Sequence, residues 1–477
     1  MTNPTTVFVS GIFNVLHPGH LRLFKFAREL GEHLVIGVLS DHLAAEAAQV
    51  PQDLRLEGVG ANNYVDEVLL VDVPVESVVK QLRPDFVVKG REHELHLNPE
   101  LEVLDEYGGQ LVFSSGEAVF SSLDLIGANL VQGTPIVSHP PTGFLARHGI
   151  DPRDVVSKVN GFSELQVCVI GDLIVDEYLT CDPLGMSQED PTLVVTPIDT
   201  QRFLGGSAII AAHVAELGAK VHYLSVSGND GTGDYARGEL DRHGVDVTLL
   251  TDETRPTTLK QRFRADGKTL LRVSHLHQGA VAAILQEQLL KQFSSVVPDC
   301  QLVVFSDFNY GCLPQSLVED LVIVGHEHGV MMAADSQSSS QVGDVSRFRG
   351  MDLLTPTEHE ARVSLRNHED GLVVLAEKLK DESRAKNILL KLGSEGVLLH
   401  IGSDDGIVET DRVPALNMSP RDPAGAGDAL LVVSAMAMAA GSTPWEAAYI
   451  GAVAAAFQVS RIGNIPLTQA DLIEGLL

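Results

Sequence analysis

Short apolar runs alternate with amphipathic stretches along the first part of the chain: TTVFVSG, LRLFKFAREL, HLVIGVLSD, VDEVLLVD, ESVVKQL, DFVVKG and QLVFSS follow one another up to about Val131. Brief apolar runs separated by helical periods describe parallel β-α-β units. The next stretch, GTPIVSHPPTGFLARHGIDPRD, is rich in Pro, Gly and His and has no sustained period, which predicts a linker over residues 136–162 that ends in a short helix near Asp154–Asn160. A second alternation opens at QVCVIGDLIVDEY and runs to the end. Within it, YLTCDPLGMSQEDPTLVVTPIDTQRFLGG sets β-branched runs between turn residues, the pattern of an antiparallel hairpin that serves as a lid. The fold class expected is α/β, with two doubly wound domains, 1–135 and 163–477, and a small β lid on the second.

A length of 477 residues fits two or three cores, and the 44% apolar and 21% charged content is that of a globular chain. The net charge of −30 argues against a nucleic-acid surface, which needs clustered Lys and Arg, and describes a solvated acidic exterior. Cys168, Cys181, Cys300 and Cys312 show neither Cys-x-x-Cys nor zinc-ligand spacing, so free thiols in a reducing cytoplasm are expected. The chain enters a strand-like run at Thr5–Val9 with no signal-peptide pattern, and no apolar stretch approaches the roughly 20 residues that span a bilayer. The longest candidate, Ala429–Ala440, is bracketed by Asp428 and Gly441.

His17, Pro18, Gly19 and His20 stand where the strand VFVSG hands over to a helix. Unpaired backbone N–H groups and the helix dipole favour phosphate there, and two His three residues apart can face the same anion. Gly19 lets the backbone approach closely. The plainer alternative is one capping and one exposed His. This segment, with Gly11 before it, resembles the cytidylyltransferase-like nucleotidyltransferases, as do LVIGVLSD, LRPDFVVKGREH and FSSLDLI. The resemblance implies that His17 and His20 stabilise a nucleoside triphosphate during transfer. It also places Lys89 and Gly90 at a phosphate, and Ser121 and Ser122 at a helix start that touches the triphosphate. Asn14 stands where that family usually has Asp, and Leu123 replaces a hydroxyl. The basic phosphate segment is missing after Asp41, which leaves Arg55 as its candidate substitute.

Near the other end, RDPAGAGDALLVVSAMAMAAG sets a Gly-Ala-Gly turn directly before a helix with Asp428 in its first turn. N–H groups of Ala426, Gly427 and Asp428 would form an anion hole, and Asp428 would take the proton of an attacking hydroxyl. The segments VIGDLIVDEY, GGSAIIAAHVAELGAKVHYLSVSGNDGTGDYARGELDRHGVDV, SDFNYG, LLTPTEHEA and LLKLGSEGVLL precede it in order. Together they resemble the ribokinase family of sugar kinases over roughly residues 163–477. The resemblance implies Asp428 as base and Gly425, Ala426 and Gly427 as anion hole. It places Asp172, Asp176, Gly205 and Gly206 at the sugar, Lys260 and Arg262 on the lid near a substrate phosphate, and Glu360 with Mg2+. Asp176 and Glu360 also read as plain caps or surface acids, and Lys391 and Gly393 lie near the expected nucleotide. Ile209 replaces a sugar-contacting Asn, Thr357 an Asn, and Ser336 a Pro.

The two halves together, with the lid run Met186-Ser187-Gln188-Glu189-Asp190-Pro191, resemble the bifunctional heptose-phosphate kinase/nucleotidyltransferase family, with the domain order reversed. That implies phosphorylation of a sugar phosphate at its anomeric hydroxyl by Mg-ATP, a separate phosphatase, and then nucleotidyl transfer to a sugar 1-phosphate. The expected partners are small molecules and a second copy of the chain, with no nucleic acid and no membrane. Two alternatives stay open for the first domain: a cytidylyltransferase using CTP and a polyol or alcohol phosphate, or a decayed nucleotide-binding or dimerisation module.

Overall fold

The computed structural model describes residues 5–16, 18–90, 98–114, 137, 140–187, 190, 192–265, 268–337, 343–402, 408–417 and 419–477. They fall into two compact units, Met1–Thr134 and Pro135–Leu477.

In the first unit, strands β1 (Thr6–Gly11), β2 (His33–Leu39), β3 (Glu67–Val71), β4 (Phe86–Gly90) and β5 (Gln110–Ser114) form a sheet of order β3-β2-β1-β4-β5. All its pairs are parallel. A parallel sheet is covered on both faces, which explains why VFV and LVI are unbroken apolar runs, with Val7, Phe8, Val9, Leu34, Val35 and Ile36 buried. The strand order reverses between β1 and β4, and a crevice at the carboxyl ends of strands on either side of such a switch is where open α/β sheets bind ligands. The helix Pro18–Leu30 begins there, after Gly11.

In the second unit, strands in chain order are β6 (Gln166–Gly171), β7 (Leu173–Met186), β8 (Leu193–Gly206), β9 (Lys220–Ser227), β10 (Asp246–Thr251), β11 (Thr258–Ala265), β12 (Lys268–His275), β13 (Leu302–Asp307), β14 (Met331–Ser336), β15 (Leu353–Leu354), β16 (Asn387–Lys391), β17 (Val397–Gly402) and β18 (Val408–Val413). The main sheet runs β10-β9-β6-β13-β14-β15-β16-β17-β18, and the small one β12-β11-β7-β8. The lid hairpin is β7 paired antiparallel with β8, joined by β11 parallel to β7.

The stretch expected as a linker contributes two helices, Thr142–His148 and Pro152–Asn160. Asp151 caps the second by accepting from Arg153 N, and Pro152 starts it. Phe144, Val155 and Val159 then enter the main core, so the segment is part of the second unit rather than a connector beside it.

Helices Ala426–Ala439 and Pro444–Val459 are apolar almost all round and buried. They meet at Gly451, where a Cβ would collide with Ser434 Oγ and stand 3.0 Å from the Leu430 carbonyl oxygen. Among the described residues no helix is long and apolar enough to cross a membrane. All four cysteines are buried free thiols.

Candidate active sites

The Gly-Ala-Gly turn opens the Ala426–Ala439 helix. Gly425 is its N-cap at φ +76°, a left-handed conformation suited to glycine. Ala426 N–H turns back toward the Pro423 carbonyl at 3.4 Å. The N–H groups of Gly427 and Asp428 belong to the first helical turn, which has no carbonyl four residues back to serve. Two such donors side by side at a helix start suit an anion.

Asp428 is buried. Burial, reinforced by the charge of Asp335 and opposed by Lys391, pushes its carboxyl up to about 7. A carboxylate in that range is matched to taking a proton near neutrality. Lys391 Nζ donates to Asp335 Oδ2 at 2.6 Å, and a Cβ on Gly427 would lie 3.1 Å from the same Nζ. Lys391 is therefore a cation set against the glycine turn itself. The sequence pattern placed it only near the nucleotide; its position at the end of β16, opposite the glycine turn, was the available signal.

Glu360 sits beside this cluster, its charge felt by both Asp335 and Lys391. One of its oxygens, Oε2, accepts from Thr357 N at 2.7 Å while Thr357 Oγ1 accepts from Glu360 N, a capping box at the start of helix Glu358–Leu365. Thr357, which replaces Asn in the expected motif, is thus the helix cap.

On the sugar side, Asp176 is buried, with Arg262 Nη2 3.6 Å from Oδ1 and Asn464 Nδ2 donating to Oδ2 at 3.1 Å. Burial raises its carboxyl above the usual range, against the pull of Arg262 and then Lys260. A Cβ on Gly205 would collide with Asp176 Oδ2, and one on Gly206, at φ +57°, would press on the Asp172 carbonyl, so both positions require glycine.

Asp172 is a correction. Its carboxylate accepts from Phe308 N at 2.8 Å, Tyr310 N at 3.2 Å and Cys312 N at 3.0 Å. Those backbone donors occupy both oxygens, so Asp172 shapes the 308–312 loop instead of presenting itself to a sugar. Ile209 is fully buried in the core, so the spot where a sugar-contacting Asn was expected is a packing position here.

The lid carries a band of cations. Lys260 lies over the rings of Phe308 and Tyr310 at 4.9 and 5.1 Å, and Arg262 and Arg264 lie over Tyr178 at 5.2 and 5.3 Å. Arg262 is paired directly opposite Arg272 across β11 and β12, a like-charge pair that costs stability unless anions balance it, and Asp176 is one anion that feels both.

In the first unit, His20 is half-buried, edge-on to Phe13 at 5.0 Å in the helix that starts past Gly11. His17, Ser121, Ser122 and Leu123 lie outside the described residues, and of Gly19 and Gly90 only the backbone elements, helix Pro18–Leu30 and strand β4, are described. Lys89 Nζ is engaged by Asn98 Oδ1 and Glu100 Oε2, both at 2.9 Å.

Arg55 is the second correction. Its buried guanidinium donates to the carbonyls of Val50, Ile12 and Leu39 and to Asp41 Oδ1, which ties the shortened loop to β1 and β2. It has no exposed side-chain surface to offer a triphosphate. Asn14 is spent likewise, on Ala47 O, Gln49 N and Val50 N.

A glycine-turn helix start with a buried carboxylate, which feels the charges of Asp176 and of Lys260 on the lid, suits moving a phosphoryl group onto a hydroxyl. The class so defined is that of the ribokinase-like carbohydrate kinases. Residues 164–470 match the profile of the pfkB family carbohydrate kinases, and the chain belongs to that family; residues 8–110 match the cytidylyltransferase-like family. The chain is 31% identical over 319 residues to a bifunctional protein HldE of Desulfatibacillum aliphaticivorans, covering 66% of this chain and 63% of the relative. It is 28% identical over 329 residues to one of Geotalea uraniireducens, covering 68% and 65%. It thus spans less than two thirds of either relative's length. In fold it is similar to Escherichia coli phosphofructokinase-2 in complex with substrates and products, at TM-score 0.53 and 16% identity over 65% of this chain and 96% of that one. It is also similar to Arabidopsis thaliana ribokinase complexed with ribose and ATP, at 0.52 and 20% over 65% and 98%.

Proposed function

We propose that the chain is a bifunctional enzyme of nucleotide-sugar biosynthesis, in which the second unit phosphorylates a heptose 7-phosphate-like sugar at its anomeric hydroxyl. The observation that carries this reading is the directly opposed Arg262 and Arg272, with Lys260 beside them, on the lid over Asp176. A neutral sugar gives such a pair nothing, whereas a phosphate dianion accepts from both guanidinium groups. In transfer the anomeric oxygen bonds to Pγ of ATP, its proton passes to Asp428, and the bond from Pγ to the bridging oxygen breaks with its electron pair leaving on ADP. Charge on the moving phosphoryl meets the Gly427 and Asp428 N–H groups and Lys391.

Magnesium fits the same corner. Asp335 Oδ1 is buried without a hydrogen-bond partner among the described residues, and Glu360 is its neighbour. Such an ion takes one or two carboxylates and otherwise water and phosphate oxygens, and when bound it supplies charge neutralisation between the phosphates.

The first unit, in this proposal, joins a sugar 1-phosphate to the α-phosphorus of ATP, giving an ADP-heptose-like product, and releases pyrophosphate, with His17 and His20 at the transition state. A second reading, a nucleotide-binding or dimerisation module, draws support from the commitment of Arg55 and Lys89 to internal partners. A CTP-dependent enzyme acting on a polyol phosphate is the third. The protein acts in the cytoplasm as a homodimer joined through the lid, whose Leu184, Met186, Leu193, Ile198 and Leu271 are exposed large apolar side chains.

The experiment is to assay Asp428→Asn for ADP formation and His17→Ala for pyrophosphate release against a panel of sugar phosphates with ATP and CTP. Selective loss of one activity in each variant supports the assignments. Loss of neither removes both, and sedimentation showing only monomer removes the dimer.

A further inference from the structure

Asp176 presents only one of its two oxygens. Oδ2 is held by Asn464 Nδ2 at 3.1 Å and occupies the space that the missing side chain of Gly205 leaves open. Oδ1 has no hydrogen-bond partner among the described residues, with Arg262 Nη2 3.6 Å away, although Asp176 is only 5% exposed. Asn464, 6% exposed, lies 288 positions further along the chain. Its own Oδ1 is also without a hydrogen-bond partner and stands 2.5 Å from where a Cβ on Gly425 would be. The amide orientation follows from chemistry, because the reverse would turn its oxygen against a carboxylate.

The segment bearing Asn464 is braced on both sides. Gly463, at φ +80°, donates to Asp422 Oδ2 at 3.1 Å, and the same oxygen accepts from Tyr178 Oη at 2.7 Å. Gln458 Nε2 donates to the carbonyls of Gly463 at 3.0 Å and Ala424 at 3.3 Å. Asn464 therefore touches the sugar-side strand β7 through Asp176 and the anion-hole turn through Gly425, from a rigid support.

We propose that Asn464 is a positioning residue of the kinase site: it locks Asp176 in the one orientation that offers Oδ1 to a substrate hydroxyl, and it fixes that oxygen's distance from the Gly425 turn. This rests on the kinase reading above. A side chain that merely filled space would not need its donor on Asp176, and one that bound sugar by itself would act independently of Asp176.

The test uses the full chain with Asn464→Ala, Asn464→Ser, Asp176→Ala and the double variant of the two alanines. Heptose 7-phosphate, mannose 6-phosphate and glucose 6-phosphate serve as acceptors with Mg-ATP. Asn464→Ala is expected to raise KM for the accepted sugar phosphate about ten-fold and to move KM for ATP less than about two-fold, while the double variant is no worse than Asp176→Ala alone. Asn464→Ser, which keeps a short donor, falls between and carries the measurement if the alanine variant does not fold. An unchanged KM, or losses that add in the double variant, overturns the proposal. If the wild type accepts none of the three sugars, the kinase reading fails separately. Crystal structures of the substrate-free variants then decide the positioning claim: a rotated Asp176 upholds it, and an unmoved Asp176 overturns it.

Discussion

Lys391 and Asp335 form a buried ion pair of 2.6 Å whose ammonium lies against Gly427 of the glycine turn. The same ammonium restrains the upward shift that burial imposes on Asp428. Replacing Lys391 by Met leaves Asp335 buried without its cation, a change that costs about 3–5 kcal/mol in comparable sites. Lys391→Met is therefore expected to lower Tm and to move the acidic limb of the kinase pH profile upward. Lys391→Arg, which keeps the charge, moves that limb much less. Steady-state ADP formation between pH 5.5 and 9 checks both, as roughly spaced points across the titration range.

In the proposed reaction Asp428 is the base and must be ionised, and burial pushes its carboxyl up to about 7. kcat/KM for the kinase reaction is thus expected to climb as pH rises through that value. Asp428→Asn should lose on the order of 10²–10⁴-fold in rate. The stability effect has the opposite direction. A folded pKa above the ordinary carboxylate value means that the fold prefers the proton, so stability falls as pH rises toward about 7. The Tm gain of Asp428→Asn over wild type is expected to be larger at alkaline than at mildly acidic pH, which calorimetry at the two conditions measures.

Arg272→Ala removes one of the two opposed guanidinium groups. KM for a sugar phosphate should increase about ten-fold or more, with a weaker salt dependence, while any slow turnover of the unphosphorylated sugar stays level. Equal losses on both sugars would place the phosphate elsewhere.

Asp172→Ala strips the acceptor from three backbone N–H groups of the 308–312 loop. At about 1–3 kcal/mol for each buried donor left unmet, the variant should be strongly destabilised, and Asp172→Asn less so. Denaturant unfolding of both variants is the measurement, and a near-neutral Asp172→Ala would restore the carboxylate to the sugar site.

Much of this was readable from local pattern. The parallel strands announced themselves as unbroken apolar runs, the lid as alternation between turns, and both helix starts by the glycines before them. Thr357 and Glu360 show the limit even at short range. Their spacing is that of a capping box as much as of a metal motif, and one carboxylate oxygen serves the cap. What stayed hidden depends on contacts between distant segments. Nothing near Arg55 says that its guanidinium will be absorbed by carbonyls of β1, β2 and the shortened loop, because the loss of a phosphate-binding segment reads only as a gap. Asp172 and Asp176 look interchangeable in GDLIVDEY, yet they end on different jobs because Asp172, between β6 and β7, meets the 308–312 loop and Asp176, within β7, meets Asn464. The helix Pro152–Asn160 was expected near Asp154–Asn160, but Thr142–His148 was not, because Pro and Gly masked the short apolar stripe of Phe144, Val155 and Val159 that the second core absorbs.

The contact of Gly451 with Ser434 and Leu430 couples the helix that bears Asp428 to its neighbour far from the proposed site. That helix rests directly on its neighbour's bare backbone there, so a methyl group added at the crossing would press on it without entering the site. In the proposed kinase, variation at this crossing is expected to alter turnover while every residue proposed to meet the sugar or the nucleotide stays the same.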